Sequence, residues 1–258
     1  MIFSLTTIQS SLSWEDKEVN YQLFSNAFKN ISNNSSILIL PEMFTTGFSM
    51  NTRKLGESMD GPSVNWMRVK AQESNIYVAG SLIIKENNTF FNRLVVASPI
   101  GEIKYYDKKH LFSYADEHIN YSPGKRELII TIEGVKIAFF ICYDLRFPLW
   151  CRNTKLKYDI AVFVANWPEK RKEHWKTLLK ARAIENQSFV VGVNRIGNDG
   201  NGINYSGDTA VYNYLGERLS TTRPNEIKVE NLSLDIDELK EYRQNFPAYL
   251  DADNFKLE

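Results

Sequence analysis

Short apolar segments recur along the whole chain and alternate with segments of helical periodicity, and this alternation constrains the fold more than any other feature. Several segments are almost continuously hydrophobic, which predicts strands covered on both faces. The segments have strand length and are rich in β-branched residues. They are Ile2 to Ile8, Ile37 to Leu40, Ile76 to Ile84, Arg93 to Ala97, Val135 to Cys142, Ile160 to Ala165, Phe189 to Asn194 and Thr209 to Tyr212.

Three segments between these strands have helical patterns. The first is predicted to begin at Ser13, with Asp16 three residues later as a variant of the capping box. The second runs from Pro62 to Ser74 and starts with a proline suited to the first helical turn. The third runs from about Lys172 to Gln187. Strands alternating with helices predict an α/β fold whose sheets carry helices on one face and another layer on the other.

No linker, low-complexity tract or internal repeat divides the sequence, so we expect a single domain over residues 1–258. The segment 224–258 has a different character, because it is polar and charged and contains only isolated aromatic and apolar residues. We expect it to be a C-terminal arm that packs on the rest of the chain or on a second subunit.

The charges balance, with 31 Lys and Arg residues against 31 Asp and Glu residues, so neither nucleic acid nor an anionic membrane surface is an expected partner. The first residues lack the pattern of a secretory signal, and no long apolar run is present, which predicts a cytoplasmic protein. The sequence shows neither clustered metal-ligand spacing nor a glycine-rich phosphate loop, so no metal and no organic cofactor are expected.

Cys142 is one of only two cysteines, too few for a disulfide framework. It lies in IAFFICYDLRFP (Ile137 to Pro148), where an apolar strand runs into a polar turn. At such a strand end, backbone N–H groups and a helix N-terminus would favour the thiolate over the thiol. This segment alone leaves open the alternative that the cysteine simply fills the core.

A cysteine nucleophile needs a base, and none of the three histidines (His110, His118 and His174) lies in a recognisable Cys/His protease signature. Glu42 follows a short buried strand, a position where partial desolvation suits a general base. Taken alone, such a residue is more often a strand-end carboxylate that faces solvent.

Lys108 and Lys109 form a basic pair inside the aromatic and apolar stretch from Tyr105 to Phe112. A lysine held there could stabilise the oxyanion of a tetrahedral intermediate in a site shielded from water. The alternative is a solvated Lys-Lys turn.

These segments, in this order and over nearly the whole chain, resemble the nitrilase superfamily of carbon-nitrogen hydrolases. The resemblance rests on LPEMFTTGF around Glu42, YDKKHLF around Lys108, CYDLRFP from Cys142, NWP from Asn166, and HWKTLLKARAIENQSFVVGVNRIG from His174. It implies an α-β-β-α sandwich with a catalytic triad of Glu42, Lys108 and Cys142.

The resemblance also assigns further roles. The family places its catalytic lysine two positions before the histidine, which selects Lys108. A second glutamate stands upstream of a Pro-Gly pair in the family, and Glu117 before Pro123-Gly124 matches it, with the implied role of orienting Lys108. The backbone N–H of Tyr143 is implied as an oxyanion donor.

Within the superfamily, CYDLRFP, ANWP and ARAIENQ are most similar to the omega-amidases, which hydrolyse the terminal amide of 2-oxo acid monoamides such as 2-oxoglutaramate and 2-oxosuccinamate. This implies a small amide substrate that bears a carboxylate, which a cation or a set of donors must bind. The candidates are Arg146, Arg195 and Tyr114, with Trp167 as a further substrate-binding residue. Alternatively, Arg146 pairs with Asp144 or another acid and only braces the turn.

Two other functions stay open. The chain could be another member of the superfamily, such as an N-carbamoyl amidohydrolase or a nitrilase with the same triad, or a non-catalytic interaction protein on the same fold. The family further implies a homodimer.

Overall fold

The computed structural model describes residues 1–256, which form two main β-sheets and the helices that cover them. The strands are β1 (Ile2–Gln9), β2 (Ile37–Ile39), β3 (Tyr77–Glu86), β4 (Thr89–Ala97), β5 (Ile103–Asp107), β6 (Ile129–Ile132), β7 (Val135–Ile141), β8 (Ile160–Ala165), β9 (Phe189–Asn194), β10 (Ile196–Asn198), β11 (Asn204–Ser206), β12 (Ala210–Tyr212) and β13 (Lys228–Asp235). The α-helices are α1 (Lys17–Ala27), α2 (Thr52–Leu55), α3 (Pro62–Ser74), α4 (Glu117–Asn120), α5 (Lys172–Asn186) and α6 (Ile236–Asn245).

The first sheet has the order β13-β1-β2-β3-β4-β5, and the second has the order β12-β9-β8-β7-β6. In each sheet the central strands are parallel, β1 with β2 and β3 in the first and β7 with β8 and β9 in the second. Parallel strands end at the same edge of a sheet, so the residues that follow β7 and β8 lie close together. The segment after β2 meets them from the first sheet, since the Asn166 N–H donates to the Glu42 carboxylate.

The two sheets pack face to face through one apolar cluster. Phe3, Ile39 and Leu94 of the first sheet belong to the same buried cluster as Phe140 of the second. The rings of Tyr106 and Phe140 meet at a centroid distance of 6.3 Å. This dry interface between sheets is the centre of the molecule.

Helices cover the outer faces. Phe24 of α1 and Met67 of α3 pack with Leu38 and Val78 on the first sheet. On the second sheet α5 approaches so closely that a Cβ at Gly192 would lie 2.4 Å from a methyl carbon of Leu179. The layers therefore follow the order α-β-β-α, which confirms the predicted fold.

The eight predicted strands are all present, and the predicted helix over residues 62–74 has the same bounds in the structure. The predicted start of the first helix at Ser13 is wrong. Asp16 is the N-cap, since its side chain accepts a hydrogen bond from the Val19 N–H at 3.1 Å. The backbone N–H of Ser13 donates instead to the Asn20 side chain at 2.9 Å, which holds Ser13 outside the helix.

The C-terminal segment contains a strand that the sequence analysis did not predict. β13 pairs antiparallel with β1 at the edge of the first sheet, and Asp235 then caps α6. The single-domain organisation, with residues 224–258 as an arm, stays a prediction, and positions 257 and 258 lie outside the described residues. Within residues 1–256, no helix combines the length and apolarity needed to span a bilayer.

Candidate active site

Three of the predicted residues follow strands and meet between the two sheets. Glu42 lies three residues beyond β2, Lys108 directly after β5, and Cys142 directly after β7. The Lys108 Nζ atom lies 3.0 Å from Glu42 Oε1 and 2.9 Å from Glu117 Oε2. The side chains of Glu42, Lys108 and Glu117 are all buried. Glu42, Lys108 and Glu117 thus lie together next to Cys142, and their charges shift the pKa of its thiol.

Lys108 remains an ammonium in this buried position. Burial by itself would lower its pKa, but the carboxylates of Glu117 and Glu42 outweigh that effect and hold the pKa above its usual range. A fixed positive charge therefore lies in a place from which water is largely excluded, where it interacts strongly with any developing negative charge.

Glu117 is held in place by three neighbours. Its carboxylate accepts hydrogen bonds from Lys108 Nζ at 2.9 and 3.0 Å, from the Phe112 N–H at 2.6 Å and from Asn92 Nδ2 at 3.1 Å. Burial raises the pKa of Glu117, the Lys108 charge opposes this, and repulsion from Glu42 raises it again, so the pKa lies above its usual value. Glu117 therefore binds a proton more readily than an ordinary glutamate.

Asn92 is a site residue that the sequence analysis missed. Its Nδ2 atom donates to Glu42 Oε1 at 2.8 Å as well as to Glu117, and its Oδ1 atom accepts from Ser81 Oγ at 2.9 Å. It bridges the two carboxylates with a neutral donor. The available signal was a polar side chain in the middle of the apolar strand β4, since a buried polar group requires partners.

Glu42 is fixed from the second sheet. The Asn166 backbone N–H donates to Glu42 Oε2 at 2.7 Å, and the Asn166 side chain donates to the Glu42 carbonyl oxygen at 2.5 Å. Because Asn166 follows β8, these bonds join the parallel strands of both sheets across the site.

Gly124 positions the lysine segment. Its backbone N–H donates to the Lys108 carbonyl oxygen at 2.8 Å. A Cβ at this position would lie 2.0 Å from the Asp107 carbonyl oxygen, so only glycine permits this approach. The Pro-Gly pair quoted in the sequence analysis therefore has a direct structural reason.

Cys142 begins a sharp turn into a short 3₁₀ helix and has a φ of 43°, in the left-handed region that L-residues rarely adopt. The buried Asp144 carboxylate holds this turn. It accepts hydrogen bonds from the Ile141 N–H at 3.0 Å, from Tyr106 Oη at 2.7 Å and from the His110 N–H at 2.9 Å. The cysteine turn and the lysine segment are thus tied to one carboxylate.

The protonation state predicted for Cys142 is wrong. Burial raises the pKa of its thiol well above the usual value, the Glu42 charge raises it further, and the Lys108 charge opposes both without reversing them. The prediction counted backbone donors near a strand end, but it did not include desolvation or two neighbouring carboxylates. In the free protein the thiol is therefore protonated, next to a carboxylate that can take its proton.

Arg146 pairs neither with Asp144 nor with another acid among residues 1–256, so the alternative of an ion pair that braces the turn is wrong. Its Nη2 atom lies 3.0 Å from His174 Nδ1, and its guanidinium lies 4.7 Å from the centroid of the Trp167 ring. Burial lowers the pKa of Arg146, while the nearby Cys142 raises it. A half-buried cation thus lies at the end of the turn that Cys142 begins, with an imidazole as its hydrogen-bond partner.

The other predicted substrate-binding residues differ in position. Tyr143 directly follows the nucleophile, and its ring packs 5.0 Å from that of Phe112. Tyr114 is 86% exposed and also packs against Phe112, at 5.7 Å. Arg195 is buried and donates to the carbonyl oxygens of residues 12, 196 and 198, which favours a structural role. Contact of Tyr143, Tyr114 and Trp167 with substrate stays a prediction.

Metal binding can be assessed from the acidic, histidine and cysteine side chains. Over residues 1–256, no group of three or more of these side chains is arranged to hold a metal ion. The expectation of a cofactor-free site stays a prediction.

Comparison with known proteins agrees with this geometry. The sequence profile of the carbon-nitrogen hydrolase family matches residues 4–244. The omega-amidase YafV of Escherichia coli (strain K12) is 43% identical, over 98% of this chain and 98% of that protein. The 2-oxoglutaramate amidase of Bacillus subtilis (strain 168) is 31% identical, over 97% of this chain and 98% of that protein.

Among solved structures, a CN-hydrolase superfamily protein from Xanthomonas campestris, which has an arsenic adduct in its active site, superposes with a TM-score of 0.97. It is 40% identical, and the superposition covers 100% of both chains. Sequence, fold and site geometry lead to one conclusion: the chain belongs to the carbon-nitrogen hydrolase family.

Proposed function

We propose that this protein is an omega-amidase, which hydrolyses the terminal amide of small 2-oxo acid monoamides, such as 2-oxoglutaramate and 2-oxosuccinamate, to the acid and ammonia. The observation that carries the proposal is the buried set of Glu42, Lys108 and Glu117 around the Cys142 thiol. The names of the relatives at 43% and 31% identity over nearly the whole chain support this substrate class.

In the first step Glu42 accepts the thiol proton as Cys142 Sγ attacks the amide carbon. The carbonyl oxygen becomes an oxyanion, which the Lys108 ammonium and the Tyr143 backbone N–H stabilise. The C–N bond then breaks, the nitrogen takes the proton from Glu42, and ammonia leaves. An acyl thioester remains on Cys142.

In the second step Glu42, again a carboxylate, takes a proton from water as the water oxygen attacks the thioester carbon. The C–S bond breaks, and the proton held by Glu42 returns to the sulfur as the acid leaves. The protonated resting thiol suits this cycle, because each step begins with a charged Glu42 next to a neutral nucleophile.

Glu117 acts through Lys108 in this scheme. It supplies the second carboxylate that keeps the ammonium charged and fixes its position by two hydrogen bonds. Asn92 keeps Glu42 and Glu117 apart while donating to both.

Arg146 binds the substrate carboxylate in this proposal. Its guanidinium lies over the Trp167 ring, and Arg146 ends the short 3₁₀ helix that Cys142 begins. The arsenic adduct in the active site of the Xanthomonas campestris protein fits a thiol nucleophile, because arsenic binds thiols readily.

The experiment is ammonia release from 2-oxo acid monoamides, ordinary amides, N-carbamoyl compounds and nitriles. Cys142→Ala and Cys142→Ser are expected to fold normally and to lose about three or more orders of magnitude in kcat, as expected when a covalent nucleophile is removed. Cys151→Ala is the matched control, since Cys151 is buried away from this chemistry and its sulfur only donates to the Asp144 carbonyl.

Turnover retained by Cys142→Ala would overturn the mechanism. Preferred hydrolysis of N-carbamoyl compounds or nitriles would instead assign the same site to another branch of the family. Absence of hydrolysis across the panel would leave the non-catalytic alternative.

We also propose a cytoplasmic homodimer without nucleic acid or membrane partners. The balanced charge supports the absence of these partners. Leu149, next to the cysteine turn, and Ile184, on α5, have exposed apolar side chains. These side chains support a dimer interface that includes the cysteine turn and α5. Light scattering after gel filtration tests the dimer.

A further inference from the structure

Two arginines lie at the rim of the site, which we define as Phe112, Tyr143, Arg146, Trp167 and Arg171. The Arg146 guanidinium stacks on Trp167 at 4.7 Å, and the Arg171 guanidinium lies 5.4 Å from the centroid of the Phe112 ring. Over residues 1–256, neither guanidinium has a carboxylate oxygen within 4.0 Å. Both cations are therefore free to bind an anion from outside the chain.

The backbone around Arg171 is fixed. The indole Nε1 of Trp167 donates to the Arg171 carbonyl oxygen at 2.8 Å, and the Arg171 N–H donates to the Pro168 carbonyl oxygen at 3.0 Å. Arg171 ends a short 3₁₀ helix that follows β8, the strand whose end also supplies Asn166 to Glu42. The same strand end thus positions both the base and this cation.

The acidic residues nearest in sequence are already paired with other cations. Glu169 lies 3.4 Å from Lys172, and Glu173 lies 2.8 Å from Lys176. Arg171 is therefore left without a charged partner while each of its basic neighbours at 172 and 176 has one.

The aromatic contacts place Arg171 on the side of the nucleophile. Phe112, under the Arg171 guanidinium, packs 5.0 Å from the ring of Tyr143, the residue directly after Cys142. Both guanidinium groups lie over aromatic rings of the rim, and the Arg171 charge contributes to lowering the pKa of Arg146. Two positive charges without a counterion repel each other. An anion bound between them would relieve this repulsion.

We propose that Arg171 and Arg146 together bind the substrate carboxylate and its 2-oxo oxygen, and that this pair of cations selects 2-oxo acid amides against amino acid amides. The inference rests on the proposed function. A 2-oxo carboxylate presents only hydrogen-bond acceptors, which match two guanidinium groups. L-Glutamine and L-asparagine carry an α-ammonium in place of the 2-oxo oxygen, and two guanidinium groups repel it.

His174 completes the arrangement. Because its Nδ1 atom lies 3.0 Å from Arg146 Nη2, a guanidinium that only donates, the ring nitrogen must accept this hydrogen bond. This hydrogen bond orients Arg146 toward the rim and leaves its positive charge in place, whereas a carboxylate partner would neutralise it.

The test compares Arg171→Gln with the wild-type protein and with Lys170→Gln, which removes an exposed cation from the same short helix. For 2-oxoglutaramate, KM is expected to rise about 10- to 100-fold in Arg171→Gln, the range for loss of a charge-assisted hydrogen bond. KM for butyramide, which has no carboxylate, stays unchanged, and the preference for 2-oxoglutaramate over L-glutamine narrows by a similar factor. Lys170→Gln behaves as wild type.

A second measurement does not depend on turnover. In the Cys142→Ala background, calorimetric binding of the dicarboxylate 2-oxoglutarate is expected to weaken by the same factor in Arg171→Gln and only partly in Arg171→Lys. Unchanged binding, or equal losses on butyramide and 2-oxoglutaramate, would overturn the role of Arg171. Failure of the wild-type protein to hydrolyse any 2-oxo acid amide, with 2-oxoglutarate binding still dependent on Arg171, would instead refute the proposed reaction and leave the anion site.

Discussion

Glu42→Gln is predicted to have opposite effects on the two activities of Cys142: it should abolish amide hydrolysis and accelerate alkylation of the thiol. In the wild-type site, burial and the Glu42 charge both raise the pKa of the thiol. Glutamine keeps the shape of the side chain and removes the charge. The substitution therefore removes the general base and, at the same time, the repulsion that opposes the thiolate.

The size of the effect follows from the charges. With Glu42 and Glu117 ionised and Lys108 protonated, the set of three carries a net charge of −1, which Glu42→Gln changes to zero. At an illustrative separation of about 5 Å and an effective dielectric constant of about 20, one unit charge contributes about 3 kcal/mol, or about two pKa units. The thiolate fraction at neutral pH would rise about 100-fold. Because the less basic thiolate is a weaker nucleophile, each thiolate reacts about tenfold more slowly, so the labelling rate rises about tenfold.

The assay is the rate of iodoacetamide labelling across the pH range, read by intact mass. We expect Glu42→Gln to label about tenfold faster than wild type at pH 7, with the midpoint of the pH profile moved down, while kcat falls by about three orders of magnitude. Glu102→Gln, at an exposed carboxylate between β4 and β5, is the matched control and should change neither rate. Cys142→Ala should not label, because Cys151 is buried.

A slower or equal labelling rate in Glu42→Gln would refute this reasoning. It would mean that Glu42 promotes thiolate formation in the free protein and that its charge does not keep the thiol protonated.

Two further predictions follow from the surrounding contacts. Lys108→Ala should be inactive while Lys109→Ala retains turnover, because only Lys108 contacts the buried carboxylates; the reverse pattern in steady-state assays would shift the assignment by one residue. Tyr106→Phe removes the hydroxyl that donates to Asp144 at 2.7 Å and accepts from Trp150 Nε1 at 2.9 Å. The Lys109 backbone N–H also donates to this hydroxyl, at 3.2 Å, so three groups lose a partner. The substitution should lower the free energy of unfolding by about 2–5 kcal/mol in urea titrations, and a loss below about 1 kcal/mol would contradict this reading.

Glu42 and Cys142 could be predicted from sequence because each follows an apolar strand, whereas Lys108 follows β5, a strand that was not predicted, and was selected by the family resemblance. Both strands are nearly continuously hydrophobic, Glu42 following β2 of the first sheet and Cys142 following β7 of the second, and the packing of the two sheets brings these strand ends together. Asn92 lies inside a strand, where the sequence pattern does not show which way a side chain points. Its contacts depend on the register of β3 and β4, which only the assembled sheet determines.

The ionisation of Cys142 and the partner of Arg146 could not be predicted for a related reason. Each depends on groups distant in sequence, Glu42 for the thiol and His174 for the guanidinium. The strand β13 was missed because its buried and exposed residues alternate along a charged segment, as is usual at a sheet edge.

The hydrogen bonds of Asp144 have a consequence for protein engineering. Because this carboxylate binds the backbone before Cys142 and, through His110 and Tyr106, the stretch that carries Lys108, neither stretch can be grafted alone. A chimera that exchanges only the cysteine turn with a distant relative would leave unpaired hydrogen-bond donors or acceptors where the two segments meet. The two segments form one structural unit, and the design of new amidases on this fold should exchange them together.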